Sequence, residues 1–183
     1  MRRYILTGAP GAGKTTILHA LRARGVSVVE EAATDVVAEA LARGVAEPWT
    51  DHGFVDAIVG LQKQRQLAAS GGAVQVFDSS PVCTHALAVH LGRPLSAALL
   101  AEIGRIRRDA IYEPGVFFIE NLGFVEPTPV RRISFEDAMT FEAVHEQSYR
   151  AFGYDLIRIA PASIVARVEA ILAHLAREPG LRS

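Results

Sequence analysis

Apolar residues along this chain fall into two kinds of segment. Five are short and almost continuous: Arg3-Tyr4-Ile5-Leu6-Thr7, Val26-Ser27-Val28-Val29, Ala73-Val74-Gln75-Val76-Phe77, Val116-Phe117-Phe118-Ile119 and Asp155-Leu156-Ile157-Arg158-Ile159. Runs of this length, rich in β-branched and aromatic residues, fit strands covered on both faces. Between them lie longer stretches with apolar residues at helical spacing. One runs from Thr15 to Arg22 and is closed by Gly25, and a second runs from Ala32 to Arg43, with Val36, Val37, Ala40 and Leu41 on one side and Gly44 as its stop. After the polar turn Glu47-Pro48-Trp49-Thr50-Asp51, Thr50 or Asp51 is placed to cap a long helix from Gly53 to Ala69, which Gly71-Gly72 ends. Helices are also expected from Pro81 to Leu91, from Ser96 to Ile111, from a Ser134 cap to Gly153, and from a Ser163 cap to a point before Pro179. Residues 121–133 are irregular, with Gly123, Pro127 and Pro129 as breaks.

Buried strands that alternate with helices require a parallel sheet with helices on both faces. Right-handed crossovers make such a sheet doubly wound, and ligands then gather beyond the carboxyl ends of its strands. Glu30-Glu31, Asp78 and Glu120 each follow a strand, so the expected topology brings them to one edge.

The segment after the first strand decides what that edge binds. Gly8-Ala9-Pro10-Gly11-Ala12-Gly13-Lys14-Thr15 matches the phosphate-loop pattern at every fixed position, between a strand and a helix. Glycines allow backbone N–H groups to close on phosphate oxygens, and the following helix directs its positive end at the same anion. Gly8 to Gly13, Lys14, Thr15 and Thr16 are therefore the expected ATP-binding residues. Lys14 is placed to reach the β- and γ-phosphates, and the Thr15 hydroxyl to join a Mg²⁺ shell.

Around this loop the candidates are carboxylates and arginines. Asp78 ends the third strand, where a carboxylate serves as a Mg²⁺ ligand or accepts the proton of a substrate hydroxyl; a helix cap is the structural alternative. Glu30 and Glu31 point to opposite sides of an extended segment, so one of them faces the cleft, and Glu31 joins Asp78 as a catalytic candidate. Arg131 and Arg132 lie in the irregular segment, residues 121–134, which reads as a lid carrying permanent charge to the transferring phosphoryl group. Glu120 is a weaker candidate. Arg105, Arg107 and Arg108 crowd one helix and read as a solvated face, with one of them as a reserve phosphate contact. Trp49, Phe54 and Tyr112 are candidates for an acceptor pocket or for the core. The histidines at 19, 52, 85, 90, 145 and 174 have no metal-ligand spacing, so no metal beyond Mg²⁺ is expected.

The bulk numbers narrow the partners. With 183 residues, half of them hydrophobic, the chain reads as one domain over 1–183, able to bury about 70% of its unfolded surface. A formal net charge of −1 without a basic run argues against a nucleic-acid partner. Cys83 is the one cysteine, which rules out an intrachain disulfide and suits a reducing, cytoplasmic location. The apolar stretch behind Met1-Arg2-Arg3 stops after Leu6, short of what a signal peptide or a membrane helix needs.

The order of phosphate loop, Val28-Val29-Glu30-Glu31-Ala32-Ala33, Phe77-Asp78-Ser79-Ser80, Phe117-Phe118-Ile119, Arg131-Arg132 and Tyr149-Arg150-Ala151-Phe152-Gly153-Tyr154 resembles a P-loop ATPase/kinase family related to the ribosylnicotinamide kinase domain, one of the small AAA-type ATP-binding families. The resemblance covers nearly the whole chain. It implies a P-loop NTPase three-layer sandwich built on a five-stranded parallel sheet, with ATP and Mg²⁺ in use and phosphoryl transfer as the chemistry. Related kinases carry Asp-Arg after the third strand, whereas Ser79 follows Asp78 here, which leaves Arg131 or Arg132 to supply the charge.

The resulting expectation is an ATP-dependent kinase that passes the γ-phosphate to a hydroxyl of a nucleoside-like or other polar metabolite, antibiotics included. The alternative is a regulatory ATPase or nucleotide switch acting through a protein partner. There is no Asn-Lys-x-Asp guanine motif, no Asp-Glu pair after the third strand and no helical domain after the sheet, so neither a GTPase nor a ring-forming AAA machine is expected. A homodimer remains open as the assembly.

Overall fold

Strand β1 (Arg2–Thr7) is the middle of a parallel sheet that the computed structural model describes, together with the rest of residues 1–8, 10–122 and 134–177. Its neighbours are β3 (Val74–Asp78) and β4 (Gly115–Ile119), with β2 (Ser27–Val29) and β5 (Asp155–Ile159) at the edges, in the order β2-β3-β1-β4-β5. All four pairings are parallel, with Leu6 opposite both Asp78 and Phe117. The chain leaves β1 toward β2 on one side and reaches β4 on the other, so the strand order reverses at β1. The phosphate loop lies at that reversal.

Side-chain alternation along the strands sorts the core into two layers. Ile5, Phe77 and Val116 face α3 (Phe54–Ala68), α4 (Pro81–His90), α5 (Ala97–Arg108) and α6 (Phe135–Ala151). Tyr4, Leu6, Val76, Phe117 and Ile119 face α1 (Lys14–Ala23) and α7 (Ile164–Leu175). A smaller cluster of Ala32, Phe54 and Ile58 joins α2 (Ala32–Ala42) to α3. The fold is the expected three-layer α/β sandwich. Among the described residues no helix is long and apolar enough to cross a membrane.

Serine caps start four of the helices. The Oγ atoms of Ser80, Ser96, Ser134 and Ser163 accept from the backbone N–H of Val82, Leu99, Asp137 and Ala166. Neither Thr50 nor Asp51 caps α3. That helix begins at Phe54 behind Gly53, and the Asp51 Oδ1 accepts from Gly53 N at 2.6 Å, closing a turn two residues too early to serve the helix. Trp49 lies in a short 3₁₀ turn, Pro48–Thr50.

Several side candidates drop out on position. Phe54 and Tyr112 are buried core residues, and Tyr112 meets Phe77 edge-on with 5.2 Å between centroids. Arg105, Arg107 and Arg108 end α5, which leads into the start of β4, away from the edge that holds the phosphate loop. Arg105 is bonded to Glu102 and Gln66, Arg108 to Asp109, and the Arg107 guanidinium lies over Phe152. The reserve role for one of these arginines at the phosphates is therefore corrected.

Candidate active site

Gly8 leaves β1 with φ 139°, against the end of β4. A Cβ built there would stand 2.3 Å from the Ile119 carbonyl oxygen, so the close approach of loop and strand requires glycine. Gly13 caps α1 in the left-handed conformation, and Lys14 opens the helix. Its Nζ donates to the Gly8 carbonyl at 2.7 Å, holding the ammonium across the loop. Pro10 and Gly11 are half-buried and Ala12 is buried, while Thr15 and Thr16 are exposed in the first turn of α1. Ala9 lies outside the described residues, as do Arg131, Arg132 and all of the expected lid except its ends.

Asp78, the last residue of β3, is 6% exposed, and its Oδ1 has no hydrogen-bond donor among the described residues. Burial pushes its carboxyl up to about 7; Lys14 opposes the rise, and Glu31, Cys83 and Glu30 add to it. Asp78 is not the cap of α4, since Ser80 takes that position. The connection between them is strained: Ser79 has φ 74°, a left-handed conformation that costs a non-glycine residue about 1 kcal/mol. Ser79 N nevertheless donates to the Leu6 carbonyl at 3.0 Å, extending the sheet past Asp78.

Beneath the strand ends lies a buried polar cluster whose contacts the sequence does not mark. The Tyr149 hydroxyl lies 2.8 Å from Ser80 Oγ and 2.9 Å from Cys83 Sγ, and Thr7 Oγ1 is 3.2 Å from the same sulfur. Burial raises the Tyr149 hydroxyl well above its usual value, so it remains a protonated donor. The cluster fastens α6 and α4 to β1 and β3 at the base of Asp78.

The two glutamates behind β2 part as extended geometry requires. Glu30 turns outward to Arg22 at 2.7 Å, while Glu31 turns toward β3, its Oε2 accepting from Thr34 Oγ1 at 2.8 Å and its Oε1 lying 3.5 Å from Ser79 Oγ. Arg65 of α3 fixes this backbone, donating to the carbonyls of Glu30 (3.0 Å) and Glu31 (2.7 Å) and pairing with Asp35. Glu120 pairs with Arg158 at 3.1 Å, which occupies its carboxylate at the far side of β4.

Helix α6 adds two groups without a sequence signal beyond their place on its inner side. His145 is 4% exposed, and burial pushes its imidazole down to about 4, within the fields of Lys14, Glu31 and Glu142. Its Nδ1 donates to the Phe141 carbonyl at 2.9 Å, which leaves Nε2 as the acceptor. Burial raises the Glu142 carboxyl, and one of its oxygens lacks a donor among the described residues. Arg167 of α7 is 1% exposed behind the phosphate loop, with its Nη2 donating to the carbonyls of Ala12 (2.8 Å) and Glu120 (3.1 Å).

Residues 3–167 match the sequence model of a family described as an AAA domain. No curated protein sequence matches the chain. Solved structures with a similar fold include deoxyadenosine kinase from M. mycoides with bound dCTP, at 13% identity and a TM-score of 0.63, covering 96% of this chain and 98% of that one. The same enzyme with bound dATP gives 13% identity and 0.61, covering 97% and 100%. With its products dCMP and a flexible dCDP bound it gives 12% and 0.60, covering 94% and 98%. At these identities the likeness is one of fold.

Proposed function

The chain belongs to this AAA domain family, and on that premise we propose that it is an ATP-dependent small-molecule kinase, transferring the γ-phosphate to a hydroxyl of a nucleoside-like or other polar metabolite. The observation that carries the reading is Asp78, a buried carboxylate with an unpartnered oxygen at the strand reversal, in the combined field of Lys14 and Glu31. A group that titrates near neutrality suits a general base better than a cap or a permanent ion pair.

In the proposed reaction the acceptor oxygen attacks the γ-phosphorus as the bond from the bridging oxygen to that phosphorus breaks, and ADP leaves. Asp78 takes the hydroxyl proton. Glu31, held by Thr34, orients the acceptor. Lys14 swings from the Gly8 carbonyl to the β- and γ-phosphates, and the amides from Gly11 to Thr16 hold the phosphate tail. The donor set fits Mg²⁺, which keeps most of its waters and takes one or two protein oxygens: the Thr15 hydroxyl would be one, and the unpartnered Asp78 oxygen would be the second only where Asp78 is not the base. When bound, the ion would neutralise charge on the phosphates. Among the described residues no group of three or more His, Cys, Asp or Glu side chains gathers as a further metal site.

Arg131 and Arg132 complete the proposal as the sequence places them, supplying positive charge that Ser79 does not. An arginine that serves only the transferring group should lower kcat and kcat/KM together when replaced by alanine, by about 10³-fold or more, with ATP affinity retained. Steady-state kinetics of Arg131→Ala and Arg132→Ala check this, and unchanged turnover in both removes them from the mechanism.

The test of the function is ATP consumption across nucleosides, vitamins, sugars and aminoglycosides, with mass spectrometry of the products. A phosphorylated acceptor is expected. ATP hydrolysis that no acceptor stimulates would favour the nucleotide-switch alternative.

A further inference from the structure

A buried arginine behind a phosphate loop is an unusual place to put a charge. Arg167 is 1% exposed, and its guanidinium donates through Nη2 alone, to the carbonyls of Ala12 and Glu120. Nε and Nη1 have no acceptor among the described residues. No carboxylate among those residues is bonded to it; the nearby Glu120 carboxylate, paired through one oxygen with Arg158, reaches it only as a field. A buried cation without an anionic partner is disfavoured unless something offsets its charge.

The geometry supplies a candidate for the offset. Ala12 is buried in the phosphate loop, and Arg167 holds its carbonyl toward the interior. In a trans peptide the N–H of the next residue points the opposite way, so this one bond turns Gly13 N–H outward. The Gly13 carbonyl accepts from Ile17 N at 3.1 Å, which starts α1 directly after the turned peptide. Arg167 Nη1 lies close enough that a Cβ on Gly13 would stand 3.4 Å from it. The cation therefore stands behind the outward-facing amides, where an anion bound in front would be drawn to it through a low-dielectric layer. Its second acceptor, the Glu120 carbonyl, is at the end of β4, where the segment leading to Arg131 and Arg132 begins.

We propose that Arg167 is a positioning residue for the phosphate tail: it turns the Ala12–Gly13 peptide into its anion-binding orientation and supplies the buried charge that a bound polyphosphate balances. The inference rests on the reading of the loop as a nucleotide site. It assigns no direct contact with nucleotide, because the guanidinium is sealed off. Lysine at this position keeps the charge and one donor to Ala12, whereas glutamine loses the charge.

The experiment is titration of the full chain with magnesium tripolyphosphate and with MgATP, for wild type, Arg167→Lys and Arg167→Gln. Arg167→Gln should weaken both ligands by about tenfold or more, the range found when a group that orients a direct ligand is lost. Arg167→Lys should stay within about threefold of wild type, because the charge that balances the anion is retained. A merely structural arginine predicts the reverse pattern, a lower ligand-free melting temperature with unchanged tripolyphosphate affinity in whatever fraction folds. Should Arg167→Gln fail to fold, the wild type decides: the Arg167 Nε–H resonance in arginine-labelled protein, assigned by its loss in Arg167→Lys, should shift on saturation with magnesium tripolyphosphate. Wild-type affinity in Arg167→Gln, an equal loss in Arg167→Lys, or an unmoved resonance each overturns the inference. If the wild type binds neither ligand, the nucleotide-site reading itself fails.

Discussion

Lys14→Ala should remove half or more of the thermal stabilisation that MgATP confers. At a ligand concentration 100 times Kd the wild type gains about 2.7 kcal/mol. For a chain of 183 residues that is a rise of about 5–10 °C in melting temperature. The ammonium's charge-assisted contact with phosphate is worth about 1.5–3 kcal/mol, so its loss removes about 10–100-fold in affinity and about half to five-sixths of the gain at that concentration. The ligand-free protein should lose much less. Lys14 bonds the Gly8 carbonyl from a half-buried position, a contact worth about 1 kcal/mol. Scanning calorimetry with and without MgATP separates the two effects, and equal rises in wild type and variant would refute the assignment of Lys14 to the phosphates. A second signature follows from electrostatics. Lys14 is the cation that holds the Asp78 carboxyl down against burial, so its removal should push Asp78 further up.

What the sequence makes legible is local. Five apolar runs, the helix-ending glycines Gly25, Gly44 and Gly71-Gly72, the strand-to-helix setting of the phosphate loop and the caps Ser134 and Ser163 all depend on residues within a few positions of one another, and each matches the fold among the described residues. Pattern could not choose between Glu30 and Glu31, because extended geometry fixes only that they diverge. Arg22 on one side and Thr34 with Ser79 on the other settle which way each turns. The contacts that sequence leaves unmarked are those between residues distant along the chain. Arg167 meets Ala12 across 155 positions and Tyr149 meets Ser80 across 69. Nothing in the neighbourhood of either residue encodes the contact; it arises only when α7 and α6 pack on their faces of the sheet. Asp51 shows the limit from the other side. It is a good cap residue in the right region, but two positions too far from Phe54, and a two-residue offset turns a helix cap into a turn.

Asp78→Asn should make the protein more stable at neutral pH while removing its activity. The amide keeps the shape of the carboxyl but cannot take a proton, so turnover should fall by about 10²–10⁴-fold if Asp78 is the base. Stability runs the other way because the native carboxylate is buried without a donor to one oxygen. Its unfolded value is 3.8 and its folded value about 7, so from about pH 4 to 7 the folded chain holds a proton that the unfolded chain has released. Stability is thus lost as pH rises through that window, at about 1.4 kcal/mol per pH unit, and the full cost applies above it. His145 has the opposite slope. Its imidazole falls from 6.5 to about 4 on folding, so its contribution is complete above 6.5 and lost as pH falls toward 4. In the wild type the two slopes oppose each other below pH 6.5, and only the Asp78 loss remains above it. The asparagine variant keeps only the His145 slope, so its advantage over wild type should be small near pH 4.5 and grow to a few kcal/mol by pH 8, at about 1.4 kcal/mol per pH unit across the window. Urea midpoints at both pH values, paired with turnover at pH 8, measure this. A variant that is less stable than wild type at pH 8 yet fully active would make Asp78 a structural carboxylate. A more stable, inactive variant is what a buried base predicts, because a site that holds a carboxylate away from water for chemistry gives up folding stability to do so.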